Sequence, residues 1–188
     1  DRTLRSVDGK DERALTAFSG DQKIYLVGEP GEGKSTSIAQ LCENIALGKS
    51  GSVDSVMFVP LHALQDTASA DSIVKWIATH GPAAHLDPEF VPAMLHRGKT
   101  AIVLDGFDEI SEKRKREELS LGLSGLIERF PEARNFMLSS RPWIEKPAMP
   151  GKDFNRYELS PLSESQVVDL FKSEMTGVYV RALGEAGE

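Results

Sequence analysis

The sequence predicts an α/β fold in which helices cover both faces of a mostly parallel, five-stranded sheet. Four continuous apolar runs are typical of strands buried on both faces, and they occur at residues 24–27, 56–59, 101–104 and 136–138. Helical periodicity fills the segments between these runs, as the crossover connections of parallel strands require. The first run also leads directly through a glycine-rich loop into a helix. Together these observations predict a three-layer sandwich.

A fifth strand is predicted at residues 154–159, where apolar and polar residues alternate as they do in a strand at the edge of a sheet. Helices are predicted where apolar residues recur at spacings of three and four. This spacing begins near Gly33 and recurs over residues 112–130. Capping residues, among them Asp87 and Ser163, mark further helix starts. The remaining predicted helices cover residues 71–80, 87–97 and 163–175.

Composition excludes several other classes of protein. The chain has 188 residues, with 22 Lys and Arg against 29 Asp and Glu, so its formal net charge is −7. We expect no dedicated nucleic-acid surface, for which Lys and Arg would cluster, and no membrane span, since the longest apolar run is only Val56 to Leu61. The single cysteine, Cys42, cannot form an internal disulfide, which predicts a cytoplasmic protein.

The four histidines lack the spacing of a zinc site. We interpret them as surface or packing residues: His62, His80, His85 and His96.

A phosphate-binding loop follows the first strand. Residues 28–35 fit the Walker A pattern GxxxxGK[ST] between a predicted strand and a predicted helix. Glycines let the backbone curl until its N–H groups point inward at a phosphate, and the positive end of the helix dipole adds to the attraction. We therefore assign nucleotide binding to Gly28, Glu29, Pro30, Gly31, Glu32, Gly33, Lys34, Ser35 and Thr36.

Three side chains at the end of this loop have distinct predicted roles. The ammonium group of Lys34 would reach the β- and γ-phosphates, and the hydroxyl of Ser35 would ligate Mg²⁺. Thr36 has two interpretations, because its hydroxyl can bind a phosphate or simply occupy the first turn of the helix.

An acidic segment follows the third strand. Asp105 comes directly after the apolar run, and a carboxylate at the carboxyl end of a buried strand can hold the magnesium ion beside the phosphates. Asp108 and Glu109 would orient or deprotonate an attacking water, and the sequence does not choose between them as the base. With the phosphate loop, these carboxylates predict an ATPase, and a slow one.

The fourth strand leads into Arg141. A guanidinium at this edge of the sheet can contact the γ-phosphate and stabilise the charge that develops during its transfer. We therefore predict that Arg141 senses the nucleotide.

Other nucleotide-binding classes fit less well. The sequence lacks the Asn/Thr-Lys-x-Asp motif with which GTPases read guanine, so adenine is favoured. A small-molecule phosphotransferase would share the loop, but it needs an arginine-rich lid, and the pair Asp108 and Glu109 favours water as the acceptor. A scaffold that binds ATP without hydrolysing it stays open as an alternative.

The motifs GEPGEGKS, IVLDGFDE and MLSSRP, in this order at three strand ends, resemble those of the NACHT family of signal-transducing (STAND) P-loop ATPases. The resemblance extends over residues 20–175, and its most specific part is the pattern Asp-Gly-hydrophobic-Asp-Glu. It implies a P-loop NTPase sheet with the strand order 5-1-4-3-2, in which the strand that leads into Arg141 lies between the other two motif-bearing strands. Ser139 occupies a position where the family more often has Thr.

The resemblance also implies a molecular switch that rests with ADP and oligomerises with ATP and Mg²⁺ to activate an attached effector. Relatives act in innate immunity and in bacterial defence against phage. Residues 1–20 are expected to lead into the nucleotide site, residues 21–162 to form the NACHT domain, and residues 163–188 to begin a truncated helical domain. Sensor and effector domains are expected elsewhere in a longer chain, because the sequence begins without Met and lacks the family's later helical motifs.

Overall fold

A seven-stranded sheet organises the part of the chain that the computed structural model describes, which comprises residues 3–6, 9, 11–19, 23–64, 69–80, 87, 89–142, 154–161 and 168. The strands are β1 (Thr3–Ser6), β2 (Asp11–Arg13), β3 (Lys23–Val27), β4 (Ser55–Pro60), β5 (Thr100–Asp105), β6 (Phe136–Ser140) and β7 (Phe154–Leu159). The helices are α1 (Ala14–Ser19), α2 (Lys34–Ala46), α3 (Ala70–His80), α4 (Phe90–His96) and α5 (Lys113–Arg129). Short 3-10 helices cover Leu61–Leu64 and Phe107–Glu109.

The five strands from β3 to β7 are parallel to one another and lie in the order β7-β3-β6-β5-β4. Counted along the chain, this is the order 5-1-4-3-2 that the resemblance implies. All five predicted strands are present, each within two residues of its expected bounds. The prediction of a P-loop NTPase sheet is therefore confirmed.

Two antiparallel strands extend the sheet beyond the five that were predicted. β1 pairs with β2 on one side and with β7 on the other, so β7 is an interior strand and its prediction as an edge strand was wrong. The alternation in β7 has a different cause. Tyr157 and Leu159 are buried against the helices of one layer, whereas Arg156 and Glu158 are exposed on the opposite face.

Helices bury both faces of the sheet, as a three-layer sandwich requires. Along β3, Ile24 and Leu26 belong to an apolar cluster with α1 and α2, and Tyr25 and Val27 belong to a second cluster with α3, α4 and α5. Because successive strand residues point to opposite faces, a continuous apolar run serves both clusters. None of the described helices has the length and apolar character needed to cross a lipid bilayer.

The predicted helices agree with the structure except at one boundary. α2, α3 and α5 begin and end within one residue of the bounds where these were predicted. α4 begins at Phe90, later than the predicted start after Asp87, because Asp87 forms a turn before the helix. Its side chain accepts the N–H of Glu89 at 2.8 Å and its carbonyl accepts that of Phe90 at 2.8 Å. The helix predicted at 163–175 lies outside the described residues, apart from Val168.

The described part of residues 1–20 is packed into the core of the same sheet. Leu4 and Phe18 are each only 1% exposed, within the cluster that also holds α2. The side chain of Asn135, directly before β6, donates a hydrogen bond of 2.6 Å to the carbonyl of Phe18. The sequence patterns predict no strand or helix in this segment, and the domain boundaries at 20 and 162 stay predictions.

Replacing Phe18 with Ala tests whether α1 is an integral part of this core. The change empties a buried site, and we expect it to lower the free energy of unfolding by about 3–5 kcal/mol. Phe58→Ala is the matched control, because Phe58 is 47% exposed and its loss should cost roughly 1.5 kcal/mol or less. Urea denaturation followed by circular dichroism measures both. Equal losses would show that α1 does not contribute to the cooperative core.

Candidate nucleotide site

The carboxyl ends of β3, β5 and β6 meet at one edge of the sheet, around a cavity of about 360 Å³. All the predicted metal and hydrolysis residues line it, namely Ser35, Asp105, Asp108, Glu109 and Arg141. Of the other loop residues, the cavity is lined by Pro30, Gly31, Gly33, Lys34 and Thr36. Gly28, Glu29 and Glu32 do not line it, whereas Gly106 and Ser139, to which no site role was assigned, do.

Two glycines give the loop its shape. Gly31 and Gly33 have φ angles of +84° and +87°, in the left-handed region that side chains other than glycine's rarely adopt. The carbonyl of Gly33 accepts the N–H of Ser37 at 2.9 Å, which is a bond of the first turn of α2. The loop therefore delivers the N-terminus of α2, with its unpaired N–H groups and positive dipole end, to the cavity.

In this structure the loop bonds to its own charged side chains. The ammonium group of Lys34 donates to the carbonyls of Gly28 at 2.5 Å and Glu29 at 3.0 Å. The carboxylate of Glu32 accepts the N–H of Glu29 at 2.7 Å. A Cβ at Gly28 would lie 2.5 Å from that carboxylate, so the first glycine of the motif leaves room for Glu32.

The two predicted metal ligands, Ser35 and Asp105, are in contact. The Ser35 hydroxyl donates to Asp105 Oδ2 at 3.2 Å, and the Ser139 hydroxyl donates to Asp105 Oδ1. Hydroxyl and carboxylate oxygens are hard ligands of the kind that Mg²⁺ prefers, and one or two protein oxygens beside a phosphate are its usual protein ligands. These residues therefore fit a magnesium ion held between protein and nucleotide.

Asp108 and Glu109 have different surroundings. Asp108 forms an ion pair of 2.7 Å with Nε of Arg141, and its side chain is only 8% exposed. The Glu109 side chain is 53% exposed, and its Oε2 lies 3.1 Å from Nδ1 of His62. A Cβ at Gly106 would lie 2.8 Å from the Glu109 carboxyl carbon, so the glycine leaves room for Glu109 to fold back over the turn.

Two titratable side chains lie close beneath the site. Burial raises the pKa of the Cys42 thiol to about 11, and the charge of Asp105 acts in the same direction. Burial also raises the pKa of the Tyr25 phenol, opposed by its neighbours Ser140 and Arg156 and reinforced by Asp108. At neutral pH both groups therefore stay protonated, and neither serves as a base.

Comparison with known proteins decides the family. The family model described as "NACHT domain" matches residues 22–177. The chain belongs to the NACHT family. The resemblance inferred from the three motifs is thus confirmed, and NACHT domains are P-loop NTPases that generally bind nucleotide with Mg²⁺.

Other comparisons add little about function. No curated protein matches the chain. Among solved structures, one match is "Structure of Drosophila ORC bound to DNA", with 13% sequence identity and a TM-score of 0.45. The match covers 82% of this chain and 40% of that one, so the NACHT chain spans less than half the length of the ORC chain.

Three residues around the site have contacts that the sequence did not predict. His62 was interpreted as a surface or packing residue, although it follows β4, whose carboxyl end lies beside that of β5. The motifs that contain Ser139 and Gly106 do not predict that the Ser139 hydroxyl bonds to Asp105 and to the Gly106 N–H, or that Glu109 lies close over Gly106. A position at the carboxyl end of a parallel strand is the signal that could have found His62 and Ser139.

Glu32→Gln tests whether the carboxylate on the loop opposes nucleotide binding. Glutamine keeps an oxygen for the Glu29 N–H but removes a negative charge from the phosphate-binding loop. At a separation of about 8 Å and intermediate screening, one charge pair is worth about 1 kcal/mol. We therefore expect ATP and ADP to bind about fivefold more tightly, as measured by calorimetry.

Glu43→Gln is the control, because this substitution removes the same charge from the exposed surface of α2. Glu43 lies roughly 14 Å along the helix axis from the first residue of α2. That distance exceeds the Debye length of about 8 Å at physiological ionic strength. Affinity should hardly change. A similar gain in both variants would mean that only net charge matters.

Proposed function

We propose that this NACHT domain is an ATP-binding and slowly ATP-hydrolysing switch within a larger signalling protein. The observation that carries the proposal is the convergence of the phosphate loop, the acidic residues and Arg141 on one cavity of about 360 Å³ at the N-terminus of α2. The side chains that we predict to hold the phosphates and Mg²⁺ and to activate water all line this cavity, and they follow three different strands.

Nucleotide binding rests on the loop and α2. The triphosphate would lie against the N-terminal N–H groups of α2, and Lys34 would exchange the carbonyls of Gly28 and Glu29 for phosphate oxygens. Ser35 and Asp105 would hold Mg²⁺, which neutralises charge on the β- and γ-phosphates when it is bound. The adjacency of these two side chains, 3.2 Å apart, supports this assignment.

Glu109 is the better candidate for the base that activates water. A base must reach the water with a free oxygen, and the Asp108 carboxylate is buried and paired with Arg141. The Glu109 carboxylate is exposed at the cavity and bonds through one oxygen to His62. We therefore assign water activation to Glu109 and give Asp108 the task of anchoring Arg141.

Arg141 would report the γ-phosphate. Asp108 holds its Nε and so fixes the direction of the guanidinium at the cavity wall. A guanidinium in a fixed orientation can stabilise the charge that develops on a transferred phosphoryl group. Because binding and loss of the γ-phosphate change the anion that faces Arg141, this residue is our candidate for the trigger of the switch.

The wider role is proposed on family membership. Membership of the NACHT family favours a protein that self-associates when it binds ATP and that carries sensor and effector domains. It also favours a role in the cytoplasm in immune or antiviral defence. Whether this chain hydrolyses ATP or only binds it is the point at which the switch and the non-hydrolysing scaffold differ.

Two substitutions test binding and hydrolysis separately. Lys34→Ala removes a charge-assisted contact to the phosphates, and we expect Mg²⁺-ATP to bind about 100-fold more weakly. Glu109→Gln should keep the parent affinity while slowing phosphate release about 100-fold, the usual contribution of a general base. Calorimetry with ATP and ADP and a phosphate-release assay measure the two effects.

Glu112→Gln is the control for Glu109→Gln, since Glu112 is exposed just beyond the cavity and should leave both measurements unchanged. Tight binding by the parent with no phosphate release would select the scaffold. Parent-like binding by Lys34→Ala would contradict the phosphate-loop assignment itself.

A further inference from the structure

Ser139 lies at the junction of the metal carboxylate and the acidic turn. It is the fourth residue of β6, its side chain lines the cavity, and only 1% of the residue is exposed. Its hydroxyl donates to Asp105 Oδ1 and accepts the backbone N–H of Gly106 at 2.9 Å. One buried hydroxyl therefore contacts two consecutive residues of the neighbouring strand end.

The Asp105 carboxylate is held from two sides. Ser35 donates to Oδ2 from the start of α2, and Ser139 donates to Oδ1 from β6. Ser35 is itself a predicted metal ligand, so its position depends on the ion. Ser139 is the partner that orients the carboxylate from outside the metal site, as hydrogen-bonding partners of metal ligands commonly do.

The second bond of Ser139 fixes the turn that follows. Gly106 has a φ of +84°, and its carbonyl accepts the N–H of Glu109 at 3.0 Å. Because the Gly106 N–H bonds to Ser139, the direction in which the chain leaves β5 is defined. The position of Glu109 follows from that direction. A hydroxyl has one proton to donate, and Ser139 gives it to Asp105.

We propose that Ser139 is a positioning residue that orients Asp105 toward Mg²⁺ and sets the turn that carries Glu109. The inference rests on the proposed function, since it concerns the binding of Mg²⁺-nucleotide at this cavity. It predicts a defect in the response to magnesium that does not extend to nucleotide binding without the metal.

The neighbouring serine provides a matched control. Ser140 is as deeply buried as Ser139, but among the described residues its hydroxyl has no hydrogen bond to Asp105 or Gly106, and its polar neighbour is the phenol of Tyr25. Ser140→Ala therefore removes the same atom from the next position of the same strand without removing a contact to Asp105. Its backbone carbonyl, which accepts the N–H of Gly28 at 3.3 Å, is retained.

The experiment compares ATP affinity in EDTA with affinity in excess Mg²⁺, by calorimetry, for the parent, Ser139→Ala, Ser139→Thr and Ser140→Ala. In Ser139→Ala we expect the gain in affinity on adding Mg²⁺ to shrink about tenfold, the usual cost of losing a partner of a metal ligand. Affinity in EDTA should equal that of the parent. Ser139→Thr keeps a hydroxyl, and strands favour β-branched residues, so it and Ser140→Ala should keep the parent's gain.

A purely structural role gives a different pattern, in which affinity falls equally with and without Mg²⁺ and the melting temperature falls with it. That result would overturn the proposal, as would a parent-like magnesium gain in Ser139→Ala. Ser139→Cys is the second variant should the alanine chain fail to fold, because a thiol has a similar shape but donates weakly. It should lose most of the magnesium gain at an unchanged melting temperature, and a full gain would overturn the proposal.

The proposed function fails in a distinguishable way. A parent chain that binds no ATP, with or without Mg²⁺, contradicts nucleotide binding at this cavity. A parent that binds and hydrolyses ATP, while Ser139→Ala keeps the full magnesium gain, contradicts only the role of Ser139.

Discussion

The parallel pairing of β6 with β3 on one side and β5 on the other determines where every residue of the site lies. Val27 is opposite Ser140, and Leu104 is opposite Leu138, so the phosphate loop, Asp105 and Arg141 leave the sheet at nearly the same level. A slip of one residue in β6 would exchange the faces of its side chains. Ser139 would then point away from Asp105. The apolar residues of β6 hold the register, since Phe136 and Leu138 are buried in one cluster and Met137 in the other.

Within this frame, each of the three acidic side chains bonds to partners of its own. Carboxylates this close in sequence repel one another when all are ionised. Asp105 bonds to serine hydroxyls, Asp108 to Arg141 and Glu109 to His62. These partners lie far from the acids in sequence, in α2, at the end of β6 and after β4, so the separation of metal binding, arginine anchoring and water activation that we propose follows from tertiary structure. The spacing of the acids alone does not determine it.

The sequence predicted those features that depend on local pattern. The five parallel strands are continuous apolar runs or a regular alternation, and the loop is a contiguous motif, so both could be predicted from the printed residues. The strands β1 and β2 are short and polar, and they are stable because β1 pairs with β7, some 150 residues away in the chain. The contact between His62 and Glu109 likewise joins residues that only the pairing of β4 with β5 brings together. Membership of the NACHT family establishes a P-loop nucleotide-binding domain, whereas hydrolysis and the individual site roles stay predictions.

The pairing of β1 with β7 also has a mechanical consequence. Leu4 lies opposite Leu159, and the N–H of Ser160 donates to the carbonyl of Thr3 at 3.1 Å. The start of β1 and the end of β7 therefore lie side by side at one edge of the sheet. A force that separates these two strand ends would break the hydrogen bonds of the antiparallel pair one after another, beginning with the bond between Ser160 and Thr3. β7 also pairs in parallel with β3, where Val27 lies opposite Glu158, so the antiparallel pair opens at the same edge of the sheet as the phosphate loop, and a pull on it acts one strand away from the nucleotide site.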